Sequence, residues 1–204
     1  MFSLVFILFL SVARAETLAP GDVVLLPLKC YLCRAIEIET NSPWAHSGII
    51  LRDEEGRLFV AHAHDKVIRE SVETFWARTA PGQIPAVFRA RAVSELCRDK
   101  RNCDSFSQKL LSRFQTEFEG LPFDRDFRWD NFDESGREML YCSEFVAKLL
   151  APFVASGLPP RPLTYNLLPE FWDSYFKGHV PEGIPGNAPA DFARSPEFES
   201  VLVN

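Results

Sequence analysis

The stretch that decides the fold is Tyr141–Val146, which reads YCSEFV and places Cys142 at the start of an apolar helical pattern that Pro152 ends. A helix start lowers the pKa of a thiol, and its free backbone N–H groups can stabilise an oxyanion. Cys142 is therefore a candidate nucleophile. The alternative is a small buried residue at a strand-to-helix junction, which is the commoner role of a cysteine.

A second stretch, Ala45–Ile50, reads AHSGII and places His46 at the start of an apolar strand. The charged turn at 53–56 joins this strand to a second one at 58–64, so the two runs predict a β-hairpin. Strict alternation puts His62 and His64 on one face of the second strand. If the hairpin pairs as predicted, one of them lies near His46 and orients its ring, as the third member of a catalytic triad does.

Three histidines on one sheet leave a zinc site as an alternative. We rank this interpretation lower, because it leaves a thiolate nucleophile unexplained and offers no carboxylate placed as a base. The prediction is therefore a site without metal. A further alternative is a binding or redox module in which Cys142 is inert or disulfide-bonded.

The rest of the chain predicts one α+β domain with a small antiparallel sheet. A buried strand is expected at 21–26, and Pro27 is expected to open a helix that runs to Glu39. No linker separates two cores, so the domain is predicted to span 16–186, with 187–204 as a surface tail. Further strands are expected at 67–68 and 86–90, and further helices at 72–76, 104–120 (capped by Asp104 or Ser105) and 169–175.

The first fifteen residues are predicted to be a signal peptide. An apolar run over 1–12 precedes Ala13-Arg14-Ala15, which offers small residues where a signal peptidase cleaves, and the run is too short to span a bilayer. The expected product is a periplasmic or secreted protein with no membrane span. The net charge of the full sequence, −6, argues against nucleic acid as a partner.

An odd number of cysteines matters in an oxidising compartment, and this chain has five. Cys97 and Cys103 flank a short polar segment and can form a local disulfide. Cys30 and Cys33 are three residues apart and can form a second one, or remain buried thiols. The CxxC spacing is also that of redox motifs, but both cysteines are expected about one turn inside a helix, which favours a structural role.

Five segments in order along the chain resemble the circularly permuted papain-like amidases of the NlpC superfamily, of the YiiX/YaeF/YebB type. They are GDVV at 21–24, AHSGI at 45–49 with Thr40 and Ser42 before it, FVAHA at 59–63, GLPFD at 120–124 and YCSEFV at 141–146. The resemblance covers about residues 20 to 150. It implies an α+β fold with the catalytic cysteine at a helix N-terminus against a small antiparallel sheet.

By this resemblance Cys142 is the nucleophile, His46 the base and His62 the third, polar residue, with His64 as the alternative. The family often has Glu followed by Ala at the third position, where this chain has His62-Ala63, and Ser before its histidine, where this chain has Ala45. A neutral imidazole can orient another one, as in the retinol acyltransferase-like relatives. The residues expected to contact substrate flank the two reacting groups: Tyr141, Ser143, Ser47 and Gly48.

The expected activity is therefore that of an exported cysteine hydrolase that cleaves an amide through an acyl-enzyme and needs no cofactor. Cell-wall peptides and acyl-amides are the substrates that the superfamily and an extracytoplasmic location suggest. The same resemblance allows a lipid acyl hydrolase or acyltransferase, and fold analogy does not choose between them. The sequence gives no oligomeric state.

Overall fold

A six-stranded antiparallel sheet forms the centre of the protein, which a computed structural model describes over residues 17–154 and 158–201. The predicted signal peptide lies outside these residues. The strand order is β10-β5-β1-β2-β3-β4. The six strands are β1 Val23–Leu26, β2 His46–Arg52, β3 Leu58–Ala63, β4 Val67–Ser71, β5 Ala86–Ala90 and β10 Phe198–Val201.

Two short ribbons lie outside this sheet. They pair β6 Asn131–Phe132 with β7 Glu138–Met139, and β8 Arg161–Pro162 with β9 Pro185–Gly186. The helices are α1 Tyr31–Glu39, α2 Val72–Trp76, α3 Arg91–Leu96, α4 Lys100–Arg113, α5 Cys142–Leu150, α6 Pro169–Tyr175 and α7 Pro189–Arg194, with a π-helical turn at Phe114–Phe118. Over the described residues, none of these helices has the length and apolarity needed to cross a membrane.

Alternation along the strands divides the sheet into two apolar faces. Ile49 and Leu51 of β2 belong to the larger core, which α4 and α5 cover. Ile50 belongs to a smaller core on the other face, where it packs with Val60 and Phe75. By the same alternation, the side chains of His46 and His62 point toward the smaller core, whereas the side chain of Ser47 points toward α5. The strand therefore presents two neighbouring residues to two different environments.

Gly48 is required by the packing of the smaller core. A Cβ atom at this position would lie 2.5 Å from Val60 Cγ1 and 2.8 Å from Phe75 Cζ, closer than real Cβ atoms come to a neighbour. The absence of a side chain lets Phe75 close over the strand. This packing is the physical reason for the glycine two residues after His46.

The predicted hairpin is confirmed, because β2 pairs with β3 in antiparallel register from Ile49–Ala61 to Arg52–Leu58. The mixed α+β architecture and the short helix at 72–76 are confirmed as well. Two helix starts were predicted wrongly. Helix α1 begins at Tyr31, because residue 28 is still bridged to Thr79 in extended conformation. Helix α4 begins at Lys100, because Asp99 caps it by accepting the Asn102 N–H.

The prediction of a surface tail from residue 187 is wrong for the described residues up to 201. Strand β10 adds to β5 at the edge of the central sheet, and α7 places Phe192 fully in the core. Asn187 and Val201 are buried as well. The last described segment is therefore an integral part of the domain.

Candidate active site

The candidate nucleophile lies at the first position of α5. This helix packs across β2 and β3, and no side chain caps its start at Tyr141. Cys142 is a free thiol with only 9% of its surface exposed, and Ser47 and Ser143 lie beside its sulfur. Burial raises the pKa of the Cys142 thiol, and these two serines only partly oppose the effect. The lowered pKa expected at a helix start is thus outweighed, and the resting thiol is protonated.

Two buried imidazoles lie in contact at the start of β2 and the end of β3. His46 Nε2 is 2.9 Å from His62 Nδ1, and the Phe75 ring packs against both. Burial lowers the pKa of His46 well below 6.5, with the charges of neighbouring groups lowering it further. Burial likewise lowers the pKa of His62 to about 4, against the opposing effect of Glu70. Both imidazoles are therefore neutral near pH 7.

A carboxylate follows the second imidazole. Glu70 Oε1 lies 2.9 Å from His62 Nε2. Arg78 holds this carboxylate through two hydrogen bonds, of 2.8 Å from Nε and 2.9 Å from Nη2. The guanidinium helps to lower the pKa of Glu70, so the carboxylate is ionised at neutral pH. Sequence analysis missed Glu70, although its place in the alternating run at 67–71 opposite β3 is a usable signal.

These contacts define which nitrogens carry protons. An ionised carboxylate only accepts hydrogen bonds, so the proton of neutral His62 belongs on Nε2, facing Glu70. Its Nδ1 then accepts a hydrogen bond from His46 Nε2–H. Neutral His46 consequently has an unprotonated Nδ1, which is the form that a general base needs.

The choice between His62 and His64 follows from burial and contact. His62 is fully buried and bonded to His46, whereas the His64 side chain is 48% exposed and its Nδ1 lies 3.4 Å from Asp65. The two rings are 6.2 Å apart, on the same face as predicted. The structure thus brings His62, and not His64, to His46.

Consecutive residues of β2 connect the thiol and the imidazole. Ser47 lies beside the sulfur, and the His46 ring extends from the residue before it. Within the described part of the chain, no hydrogen bond joins the Cys142 sulfur to the His46 ring. Catalytic hydrogen bonds are often long or poorly aligned without substrate and tighten when it binds.

A cavity of about 500 Å³, its open mouth included, adjoins the thiol. Tyr141 and Ser143 line it, as expected for residues that contact substrate. Ser47 contacts the sulfur instead, and Gly48 faces Phe75, so neither lines the cavity. Its remaining walls come from α1, the loop before β6, the segment at 163–172 and residues 187–189.

Asn187 is the second residue that sequence analysis missed. Its backbone N–H donates to the Tyr141 hydroxyl over 2.9 Å, and its side-chain Nδ2 donates to the Ser143 carbonyl over 3.0 Å. The Ser143 hydroxyl donates back to the Asn187 carbonyl over 3.3 Å. This segment is thus fixed against the first turn of α5. A usable signal is the Pro-Ala-Asp run at 189–191, which opens a helix directly after the asparagine.

The two candidate disulfides both form, between Cys30 and Cys33 and between Cys97 and Cys103, and they leave Cys142 as the free thiol. The expectation that Cys30 lies inside a helix is wrong. It is the N-cap of α1, and its sulfur accepts the Cys33 N–H over 3.0 Å. Cys30, an exposed residue at the N-cap, therefore has the placement of the first cysteine in redox motifs.

The described residues do not provide a good donor set for a divalent metal. Three carboxylates converge, those of Asp130, Glu138 and Glu144, but the ammonium group of Lys148 lies among them at 2.5 to 2.8 Å. This internal cation occupies the space between the carboxylates that a metal ion would need. The zinc site considered for the three histidines also fits poorly, because both nitrogens of His62 already face other side chains at 2.9 Å, those of His46 and Glu70.

Comparison with known proteins agrees with this fold. The chain resembles the crystal structure of metalloprotein yiiX from Escherichia coli O157:H7, with a TM-score of 0.72 and 18% sequence identity, over 91% of this chain and 97% of that one. Comparison with curated proteins finds no match. The profile of one family, described as permuted papain-like amidase enzyme, YaeF/YiiX, C92 family, matches residues 17–202. The chain therefore belongs to the permuted papain-like amidases of the YaeF/YiiX type.

Proposed function

We propose that the protein is an exported cysteine amidase in which Cys142 is the nucleophile, His46 the general base and His62 the residue that orients the base. The observation that carries this proposal is the chain of contacts from Glu70 through His62 to His46, with 2.9 Å between the facing atoms at each step. It ends on the strand whose next residue, Ser47, lies beside the sulfur. Such a chain gives His46 a defined neutral tautomer, with an Nδ1 that can accept the proton of a thiol.

The reaction follows from these protonation states. His46 Nδ1 takes the proton of the Cys142 thiol, and the thiolate attacks the carbonyl carbon of an amide. The uncapped backbone N–H groups at the start of α5 stabilise the oxyanion. The imidazolium of His46 then returns its proton to the leaving nitrogen, the amine departs, and a thioester remains. Water, deprotonated by the same nitrogen, hydrolyses the thioester and regenerates the thiol.

Location and substrate complete the proposal. The apolar run at 1–12 and the small residues at 13–15 support export to the periplasm or beyond. The family supports an amide as the bond that is cleaved. A cell-wall peptide and an acyl-amide both contain this bond. A lipid acyl ester is the competing substrate class. These classes differ in the chemical group that would enter the cavity described above.

Hydrolysis by purified protein tests the mechanism. Wild type, Cys142→Ala and Ser112→Ala, an exposed serine on α4 away from the cavity, are incubated with peptidoglycan fragments, N-acyl amino acids and acyl lipids. We expect turnover of at least one amide by wild type and Ser112→Ala, and a loss of a thousandfold or more in Cys142→Ala. Intact-protein mass spectrometry should show an acyl adduct on Cys142. Turnover that survives the loss of this thiol would refute the mechanism.

A further inference from the structure

The disulfide between Cys30 and Cys33 lies outside the candidate catalytic residues, at the start of α1, and its two halves differ in access. Cys30 is an exposed N-cap residue, whereas Cys33 is only 5% exposed in the first turn of the helix. In thiol–disulfide exchange, a thiolate attacks one sulfur of a disulfide and the other sulfur leaves. The difference in exposure therefore makes Cys30 Sγ the atom that is open to attack.

The start of α1 also favours Cys30 as a thiolate once the bond has opened. The Cys33 backbone N–H donates to Cys30 Sγ over 3.0 Å, and the described first turn of α1 contains no acidic residue. Lys29, the residue before Cys30, is exposed and positively charged. Backbone N–H groups at a helix start and a neighbouring cation make a cysteine reactive. Cys30 is thus suited to be attacked in the disulfide and to attack in return when it is reduced.

The second disulfide of the chain provides an internal contrast. Cys97 is the C-cap of α3, at the end of a helix where the dipole disfavours a thiolate, and Cys103 lies within α4. Both residues are half-buried. Cys97–Cys103 therefore has the placement of a structural cross-link, and its reactivity is the reference for that of Cys30–Cys33.

Cys30 lines an open groove of about 2120 Å³, its mouth included. Within the described ranges, this groove and the cavity at Cys142 have no lining residue in common. Two apolar side chains of the groove are exposed, Tyr31 by 82% and Leu167 by 59%. The Tyr31 ring is held against Phe171, with 4.9 Å between the ring centroids. Exposed apolar surface beside a reactive disulfide favours a protein as the exchange partner over a small thiol.

Cys33 sets a further requirement on the partner. A monothiol that attacks Cys30 forms a mixed disulfide, but the Cys33 thiol is only three residues away, with 5.0 Å between the Cα atoms of the oxidised pair. Such a neighbour displaces the monothiol again, because the reverse reaction is intramolecular. A partner that carries a second thiol can instead close its own disulfide and complete the exchange.

We propose that Cys30–Cys33 is a second reactive site, which exchanges its disulfide with a protein dithiol that docks in the groove. A partner thiolate bonds to Cys30 Sγ, the Cys30–Cys33 bond breaks, and the sulfur of Cys33 leaves with the electron pair and takes up a proton. The second thiolate of the partner then attacks the partner sulfur of the mixed disulfide, and Cys30 leaves and is protonated in turn. Two electrons and two protons pass to this chain, and the partner is oxidised to a disulfide. The exchange involves neither Cys142 nor an amide, so it stands or falls independently of the proposed amidase.

Variants that leave one cysteine of a pair test which sulfur reacts. Cys33→Ser, Cys30→Ser and Cys103→Ser, each combined with Cys142→Ala, are treated with oxidised glutathione, and peptide mass spectrometry follows the mixed disulfide at the remaining cysteine. We expect Cys30 to react about ten times faster than either Cys33 or Cys97 in the corresponding variants. Equal rates at Cys30 and Cys97 would overturn the reactive site, and faster reaction at Cys33 would overturn the choice of Cys30.

Reduction of the wild-type chain tests the class of partner and needs no cysteine variant. The reductants are dithiothreitol, a small dithiol, and reduced thioredoxin, a protein dithiol. Acid quenching, alkylation and mass spectrometry give the rate of opening of each disulfide, and the rate for Cys30–Cys33 is divided by that for Cys97–Cys103. We expect a ratio of about ten with dithiothreitol and a ratio about three times larger with thioredoxin. A ratio of about one with both reductants would overturn the reactive site. Equal ratios above one would overturn the protein partner.

The role of the groove is tested by removing apolar surface from it. Leu167→Ser should bring the thioredoxin ratio down to the dithiothreitol ratio. The matched control is Phe132→Ser, because Phe132 is also exposed, by 56%, but lies on β6 outside the groove. We expect this control to keep the wild-type ratios. A thioredoxin ratio unchanged in Leu167→Ser, or lowered equally in both variants, would overturn docking in the groove.

Discussion

The sharpest prediction concerns Glu70, which does not approach the reacting atoms but defines the tautomer of two imidazoles. In Glu70→Gln the side chain keeps its size, but it loses its charge and gains a donor. The amide NH₂ group can then face His62 Nε2 and reverse the tautomer, so that His46 Nδ1 carries a proton and no longer serves as a base. We expect a slower reaction without loss of the fold.

The size of the effect follows from the hydrogen bond that is lost. A hydrogen bond to a charged group contributes about 1.5 to 3 kcal/mol. At about 1.36 kcal/mol for each factor of ten, this corresponds to a roughly 10- to 150-fold lower rate. The ion pair with Arg78 is partly exposed, so its loss should reduce stability by no more than about 1 kcal/mol.

The assay is the rate of Cys142 alkylation by iodoacetamide as a function of pH, together with amide turnover. The ¹⁵N chemical shifts of the two imidazoles report the tautomers directly. The matched control is Glu119→Gln, because Glu119 forms an equivalent two-bond pair with Arg69, at 2.7 and 2.6 Å, without contacting an imidazole. We expect the control to keep the wild-type rate, pH profile and tautomers.

Three outcomes separate this role from a structural one. A rate loss confined to Glu70→Gln, with altered imidazole shifts and a nearly unchanged unfolding temperature, agrees with the prediction. Equal rates in Glu70→Gln and Glu119→Gln would refute the proposed relay. Equal losses in both variants would show that the ion pairs act through stability alone.

Further predictions concern stability and redox chemistry. Because the pKa of His62 is lowered to about 4 from 6.5, the unfolded chain takes up the proton first and stability falls as pH decreases between these values. Over this pH range, the free energy of unfolding of His62→Gln, measured by urea denaturation, should fall by up to about 3 kcal/mol less than that of wild type. The added methyl group in Gly48→Ala would lie 2.5 Å from Val60 and should lower the free energy of unfolding by about 1 to 3 kcal/mol. Thermal unfolding measures this, and wild-type stability in the variant would contradict the packing described for Gly48. Stepwise reduction, followed by alkylation and mass spectrometry, should open the Cys30–Cys33 disulfide before Cys97–Cys103, since Cys30 is an exposed residue at a helix start; the reverse order would disprove it.

The parts of the site that the sequence predicted depend on short-range patterns. Strict alternation over 58–64, with a charged turn before it, is sufficient to pair β2 with β3 and to bring His62 to His46. The apolar period after Cys142 is sufficient to place the thiol at a helix start. Both signals extend over seven or more residues with one dominant period, which is where sequence patterns carry most information.

The residues that sequence analysis missed depend on long-range contacts. Glu70 acquires its role from the register of β4 against β3, which sets Ile68 opposite His62 and brings the carboxylate to the ring. Asn187 lies in a segment rich in proline and glycine, which is typical of loops. Its burial follows from the return of β10 to the central sheet, and a strand of four residues is too short to show a period.

The contact between Asn187 and the first turn of α5 has a consequence for biosynthesis. The wall of the catalytic cleft needs residues that the ribosome adds more than forty positions after Cys142. A nascent polypeptide would carry a sulfhydryl and four other cysteines while that wall is still missing. We therefore expect enzymatic competence to arise only at the last stage of maturation, so the half-made chain cannot attack amides around it.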